Sequence, residues 1–300
     1  MNYLSTFVSS LPGACAQGII WGIMALGVYI TFRILNTSDL TVDGSLATGG
    51  AVCIMLMKAG LSPWLAILAA IVSGMLAGLV TGILHTKCKI PAILAGILTQ
   101  LALYSINLRI MGNKANQPIS VDKYKLIVSQ RFVRELGLDN PILILLIFGA
   151  AIVVFLYWFF GTEKGSTIRA TGNNINMARA QGVNTDANMV LGFMIGNGLV
   201  ALSGALLAQY QGATDVNMGR GAIVIGLAAV IIGEVLFVKV FKNFGLRMLA
   251  VIIGAIIYYV ILQLVLTFGL NTNDLKLITA VIVAIFLTIP HIKKGVKKNA

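Results

Sequence analysis

Residues 161–211 read GTEKGSTIRATGNNINMARAQGVNTDANMVLGFMIGNGLVALSGALLAQYQ. The first half of this stretch is a polar interruption, and an apolar segment follows it at once. Between its other hydrophobic runs the chain mostly allows only a few polar residues. Asn173 or Asn174 can cap a helix, its side-chain oxygen accepting from a free backbone N–H, and Gly182 is a natural stop. The residues between, 175–181, make two turns at most. A helix that short is marginal alone in water and has to lean on something. Ala178, Ala180 and Gly182 are small enough to let another backbone come close, while Arg169 and Arg179 place charge on either side. The stretch therefore reads as a short helix lying across a membrane face and shaped to dock into another protein. A solvated loop containing one helical turn fits the same residues.

Composition sets the class. Of 300 residues 58% are hydrophobic and 11% charged, with a mean hydropathy of +0.92. Soluble domains carry about 25% charged residues, so this chain cannot be wetted over its surface. It is expected to be an all-α polytopic membrane protein. Lysine and arginine outnumber aspartate and glutamate by 22 to 10. In such a chain that excess marks cytoplasmic loops, and no nucleic-acid partner is expected. Cys15, Cys53 and Cys88 have no metal or redox spacing and read as small buried hydrophobes. The first basic residue is Arg33, so no signal peptide is expected. A phosphate-binding G-x-x-x-x-G-K-S/T loop does not occur, and the two histidines, His85 and His291, fit no zinc motif. The chain reads as a non-enzyme holding no cofactor or metal of its own.

About nine membrane segments are expected, at 14–35, 44–58, 62–84, 90–111, 141–160, 188–210, 221–238, 246–268 and 275–290, with residues 2–10 as a short interfacial piece. Lys293, Lys294, Lys297 and Lys298 place the C-terminus in the cytoplasm by the positive-inside rule. Alternation then puts 85–89, 161–187 and 239–247 inside, with the N-terminus outside. The external loop 112–140 runs against the rule, since it holds Lys114, Lys123, Lys125, Arg131 and Arg134.

Two segments are short, and each follows an acid–glycine pairing: Asp39-Leu40-Thr41-Val42-Asp43-Gly44-Ser45 and Asp215-Val216-Asn217-Met218-Gly219-Arg220-Gly221. They fall at corresponding places in the two halves and enter from opposite sides. That is the pattern of inverted repeats with two short broken helices, whose free N–H groups face a cavity near the midplane. Tight loops at the membrane edge fit equally well. Asp43 is expected to cap its own helix, with the favourable sign for the dipole. Glu234 is the one acid deep in an apolar run. It either pairs near the inner end of its segment, close to Lys239, or serves gating. Gln100, Asn107, Asn197, Gln209 and Gln263 are expected to bond between helices. The steps Gly74-x-x-x-Gly78-x-x-x-Gly82 and Gly192-x-x-x-Gly196 are expected to pack helices closely.

The run Gly165-x-x-x-Arg169-Ala170-x-Gly172-Asn173, followed by Ala178-x-x-x-Gly182-Val183-Asn184-Thr185-Asp186, resembles the cytoplasmic coupling loop of the permease subunits of branched-chain amino acid and ribose type ABC importers, the type II importers. The resemblance covers nearly the whole chain as one permease domain, 1–300. It implies that Arg169, Ala170, Gly172, Asn173, Ala178, Arg179, Gly182 and Val183 meet a separate ATPase, which binds ATP and magnesium. Asp39 to Ser45 is similar to the signature of one branch, the permeases of tryptophan-type amino-acid importers. This implies a translocation pathway that includes Thr41, Asp43, Gly44 and Ser45, with Glu234 as a further candidate. The implied partners are a second permease copy in a homodimer, an external substrate-binding protein and the lipid of a bacterial plasma (inner) membrane. The implied cargo is an amino acid, with aromatic ones among the candidates, and nucleosides or sugars are carried elsewhere in the family. A secondary transporter or channel is the rival from another class, with Glu234 as its ion site. An intramembrane enzyme would lack any catalytic constellation.

Overall fold

The structure, a computed structural model, describes residues 3–121, 123–133, 140–237, 241, 243–267 and, further on, 277, 279–281, 283–285 and 288. Ten α-helices organise it: α1 (Tyr3–Tyr29), α2 (Thr41–Lys58), α3 (Pro63–Thr86), α4 (Ala92–Ile110), α5 (Pro141–Gly161), α6 (Glu163–Asn173), α7 (Ile175–Ala180), α8 (Thr185–Gln211), α9 (Ala222–Phe237) and α10 (Phe244–Thr267). A π-helical turn, Ile30–Ile34, extends α1. Among the described residues six helices are long and apolar enough to cross a membrane, and α2 and α9 are not among them. The chain is an all-α polytopic membrane protein.

Inside a bilayer every backbone group must be bonded within its own segment, which makes each apolar run a helix. What brings those helices together is shape, because lipid is as apolar as leucine. The centre is α8, twenty-seven residues and about 40 Å long at 1.5 Å per residue. Along α3, Gly74, Gly78 and Gly82 lie directly on the α8 backbone at Asn197, Phe193 and Val190. The first of the expected glycine steps is thus the contact between α3 and α8, while the second, Gly192 and Gly196, packs α8 on Leu35, Thr31 and Gly27 at the end of α1. Larger side chains face outward: Leu68, Val72 and Leu76 of α3, and Val154, Phe155 and Trp158 of α5, are exposed as a lipid-facing surface would be.

The loops sort into two ends. At one, a two-stranded antiparallel ribbon joins β1 (Asn116–Pro118) to β2 (Ala213–Asp215), with Gln117 opposite Thr214. Lys58, at the end of α2, donates to Gln117 Oε1 there at 2.6 Å. At the other end, Gly172 rests on the Ile34 carbonyl and Asn188 Nδ2 donates to Thr171 Oγ1 at 3.2 Å. This is the division that alternation of the segments predicts.

Several boundaries differ from the sequence expectation. Residues 2–10 are not a separate interfacial piece, since α1 runs unbroken from Tyr3. The short segment expected at 44–58 begins at Thr41, and loop 161–187 contains two helices rather than one. Cys53 is buried as expected, but Cys15 is only half-buried and Cys88 is exposed, because it sits in the turn after α3 rather than in a span. Half of the segment 275–290 falls outside the described residues, and its described members 277, 279–281, 283–285 and 288 are helical. Lys239 and the lysines of the tail also lie outside them.

Candidate functional site: a helix junction and an end loop

The two short helices meet N-terminus to N-terminus. From that meeting α2 runs to the end that carries the ribbon, and α9 runs to the end that carries α6 and α7. Asp43 holds the junction: its Oδ2 accepts from Gly221 N–H at 2.9 Å and its Oδ1 from Ile223 N–H at 3.0 Å. Asp43 therefore does not cap its own helix. It sits in the first turn of α2, and its carboxylate satisfies the free N–H groups at the start of α9. One negative charge so lies between two positive helix ends, the favourable arrangement for both dipoles. The contact is tight because Gly219 lies directly on the Asp43 carbonyl oxygen, where any Cβ would collide.

Asp39 does the work expected of Asp43 at α2. It is buried, and its Oδ1 accepts from Thr41 N–H at 2.9 Å. Its Oδ2 accepts from Asn197 Nδ2 at 2.6 Å, and Ser45 Oγ donates to Asn197 Oδ1 at 2.6 Å. Thr41 Oγ1 lies 2.7 Å from Thr81 Oγ1, which donates to Thr99 Oγ1 at 2.9 Å. This buried network ties α2 to α3, α4 and α8. Thr41 and Ser45 are consumed by it, whereas Asp43 and Gly44 line a cavity of about 330 Å³ beside α4. Asn197 and Gln209 bond between elements as expected, Gln209 Oε1 accepting from Ile127 N–H at 3.0 Å.

Glu234 is not at the junction. It lies near the far end of α9 and pairs with Arg33 Nε at 2.8 Å. The sequence leaves pairing and gating both open for Glu234; the structure pairs it with the base of the π-helical turn, while Lys239 lies outside the described residues. Arg33, Arg169 and Arg247 line a separate cavity of about 530 Å³ with Asn36 and Asn173.

The end loop is built by local caps. Thr162 Oγ1 accepts from Gly165 N–H at 3.3 Å to start α6, Asn174 Oδ1 from Met177 N–H at 3.0 Å to start α7, and Asn184 Oδ1 from Ala187 N–H at 3.0 Å to start α8. Gly182 ends α7 in the left-handed conformation at φ +78°, as a helix-ending glycine does. Gly172 meets the Ile34 carbonyl so closely that a Cβ has no room. The Arg169 guanidinium lies 5.4 Å from the Phe244 ring centroid. Arg179 donates to Thr185 Oγ1 at 2.8 Å and to Asp186 Oδ1 at 3.1 Å.

These contacts redistribute the expected docking residues. Ala178 is 2% exposed and faces into its own loop, so it offers no small patch to a partner. Gly172 and Arg169 brace the loop internally and Val183 is half-buried, whereas Arg179 bonds to Thr185 and Asp186 yet stays exposed. The outward face includes Ala170, Asn173, Asn174, Asn176, Met177, Arg179, Ala180, Gln181, Gly182 and Asn184, with Met177 59% exposed. Arg33, Met177 and Phe244 show no sign of these roles in the sequence, and Asp39 stands in the quoted motif without a role of its own. Only Asp39, an acid two residues before a helix start, carried a local signal.

Residues 11–289 match the family described as branched-chain amino acid transport system / permease component. A tyrosine transport system permease protein of Clostridioides difficile is 42% identical over 292 residues, 97% of this chain and 95% of the relative. An uncharacterized protein of Rickettsia prowazekii is 34% identical over 283 residues, 94% of this chain and 97% of the relative. An autoinducer 2 import system permease protein of Escherichia coli is 31% identical over 238 residues, 78% of this chain and 66% of the relative.

Proposed function

This chain belongs to the branched-chain amino acid transport system permease family, and from that premise we propose that it is the transmembrane subunit of an ATP-driven importer of an amino acid. Two copies pair in the bacterial inner membrane, each with its α6–α7 loop and C-terminus in the cytoplasm and its N-terminus outside. A separate ATPase binds ATP and magnesium, and an external binding protein delivers the cargo. The 42% identical relative named for tyrosine transport supports an amino acid, with tyrosine the first to try.

The observation that carries the ATP-driven reading is the exposed face of α7. A solvated loop has no need of a capped helix whose inner side is packed and whose outer side presents Met177 and Asn176. ATPase closure would push on α7. The push passes through α6 by two contacts: Gly172 on the π-helical turn of α1, and Arg169 on the first ring of α10. The α1 contact leads on, through Arg33, to Glu234 on α9. In this way force applied at one end reaches the helix whose other end is held by Asp43. A secondary transporter has no use for such a lever.

The test is reconstitution of the permease in proteoliposomes with its ATPase and binding protein. The expected result is accumulation of radiolabelled L-tyrosine, or of another amino acid in a panel, that requires ATP. Accumulation without ATP, driven by an ion gradient, would favour the secondary transporter.

A further inference from the structure

The cavity beside the helix junction has polar walls that the fold leaves unfinished. Asp43, Gln100, Tyr104, Asn107, Asn217 and Arg220 line its polar part. Asn107 is 1% exposed, yet neither its Nδ2 nor its Oδ1 has a hydrogen-bond partner, and Asn217 Oδ1 is also buried and unpaired. Buried amides are normally bonded, and leaving one alone is costly, the more so within a membrane bundle. Both unpaired amides belong to the wall of one cavity. The same wall holds one acid and one base. Leu101 and Val216 add apolar surface.

An acid, a base and unpaired amide donors and acceptors match one chemical group well: a carboxylate and an ammonium on the same carbon. We propose that this cavity is a subsite for the α-amino and α-carboxylate groups of the transported amino acid, with Asn107 and Arg220 as specificity-determining residues. This rests on the reading of the chain as an amino-acid permease. Arg220 and Asn107 Nδ2 donate to the carboxylate. The Asn107 and Asn217 amide atoms are enclosed in the wall, so their contacts require the side chains to turn toward the cavity as the ligand enters. Asn107 Oδ1 and Asn217 Oδ1 then accept from the ammonium, and Asp43 supplies the opposing charge while it stays bonded to the start of α9. Tyr104, Leu101 and Val216 receive the side chain. Arrival of a ligand here touches both short helices at once, because Asp43 belongs to α2 and Arg220 immediately precedes α9.

The test uses the full-length permease in lipid nanodiscs and the complete transporter in proteoliposomes. In nanodiscs, thermal stabilisation is measured across the common α-amino acids. The best binder is then compared with its decarboxylated amine and its deaminated acid; for L-tyrosine these are tyramine and 3-(4-hydroxyphenyl)propionate. At least one amino acid should bind saturably, with both analogues weaker by about tenfold or more, as for a site whose buried polar groups are left unpaired. Asn107→Leu removes the unpaired atoms, so it should keep or raise the melting temperature while losing affinity by a similar factor. In transport, Asn107→Leu and Arg220→Gln should raise KM with little change in kcat. Wild-type affinity and KM in a folded Asn107→Leu would overturn the subsite and leave a water-filled pocket, with the importer reading intact. Absence of saturable amino-acid binding to the wild-type permease would overturn it too. Failure of the complete wild-type transporter to take up any amino acid would overturn the importer reading itself.

Discussion

The α2–α9 junction and the α6–α7 loop are two polar places in an apolar chain, and they satisfy their polar groups over very different distances. In the loop, each cap comes from the residue beside the helix it starts, as Thr162, Asn174 and Asn184 show. At the junction, Asp43 bonds to Gly221, a partner 178 residues away, and Asp39 bonds to Asn197 across the bundle. The loop can therefore form its turns early and locally, while the junction exists only once the bundle has assembled. The loop also leaves a free outer face, whereas the junction leaves free groups only toward a cavity. A surface for a partner and a pocket for a small molecule are what these two arrangements suit.

The contrast can be broken at either place. Asn197→Leu should have the largest effect, since it strips a buried carboxylate and a buried serine of their partner. A loss of roughly 3 kcal/mol is expected for a group bonded to charge, read as a large fall in the melting temperature of the detergent-solubilised protein. Ala178→Trp comes next. Ala178 is packed inside its loop, so overfilling it should cost about 1–3 kcal/mol. If the loop were a loosely solvated segment, this variant would melt like the wild type.

Asp43→Ala sharpens the comparison from the other side. Losing the cap on α9 should cost about 1–2 kcal/mol and abolish uptake, while the ATPase still co-purifies. Asp43→Asn, which keeps an acceptor oxygen, should recover part of the stability. Normal uptake by Asp43→Ala would reduce the junction to a structural turn.

How much of this was legible follows from the same contrast. Asn174 and Gly182 mark α7 in the sequence because cap and stop are local signals, and the structure places both at its ends. Helix α6 was not legible: EKGSTIRATGN is polar and holds two glycines, and it is helical because Ile168, Gly165 and Gly172 pack against neighbouring elements. The glycine steps of α3 were legible as packing, since small residues four apart share a face. The cost of a lone intramembrane charge made pairing one of two readings for Glu234, but Arg33 as its partner was not legible. The role of Asp43 could not be read either, because an acid in a first turn looks the same whether it serves its own helix or another. Ala178 was misplaced for a related reason: a small residue allows close approach, and sequence does not say by whom.

Met177 offers the most direct measurement. Its side chain is exposed on α7 and is not needed by the fold, so Met177→Asp should change stability by no more than about 0.5 kcal/mol. In proteoliposomes containing ATPase, binding protein and cargo, this variant should lose cargo-stimulated ATP hydrolysis and uptake together, at an unchanged melting temperature of the permease. Uptake that continues at the wild-type rate in Met177→Asp, with hydrolysis still coupled to it, would contradict the account that α7 is where the ATPase takes hold.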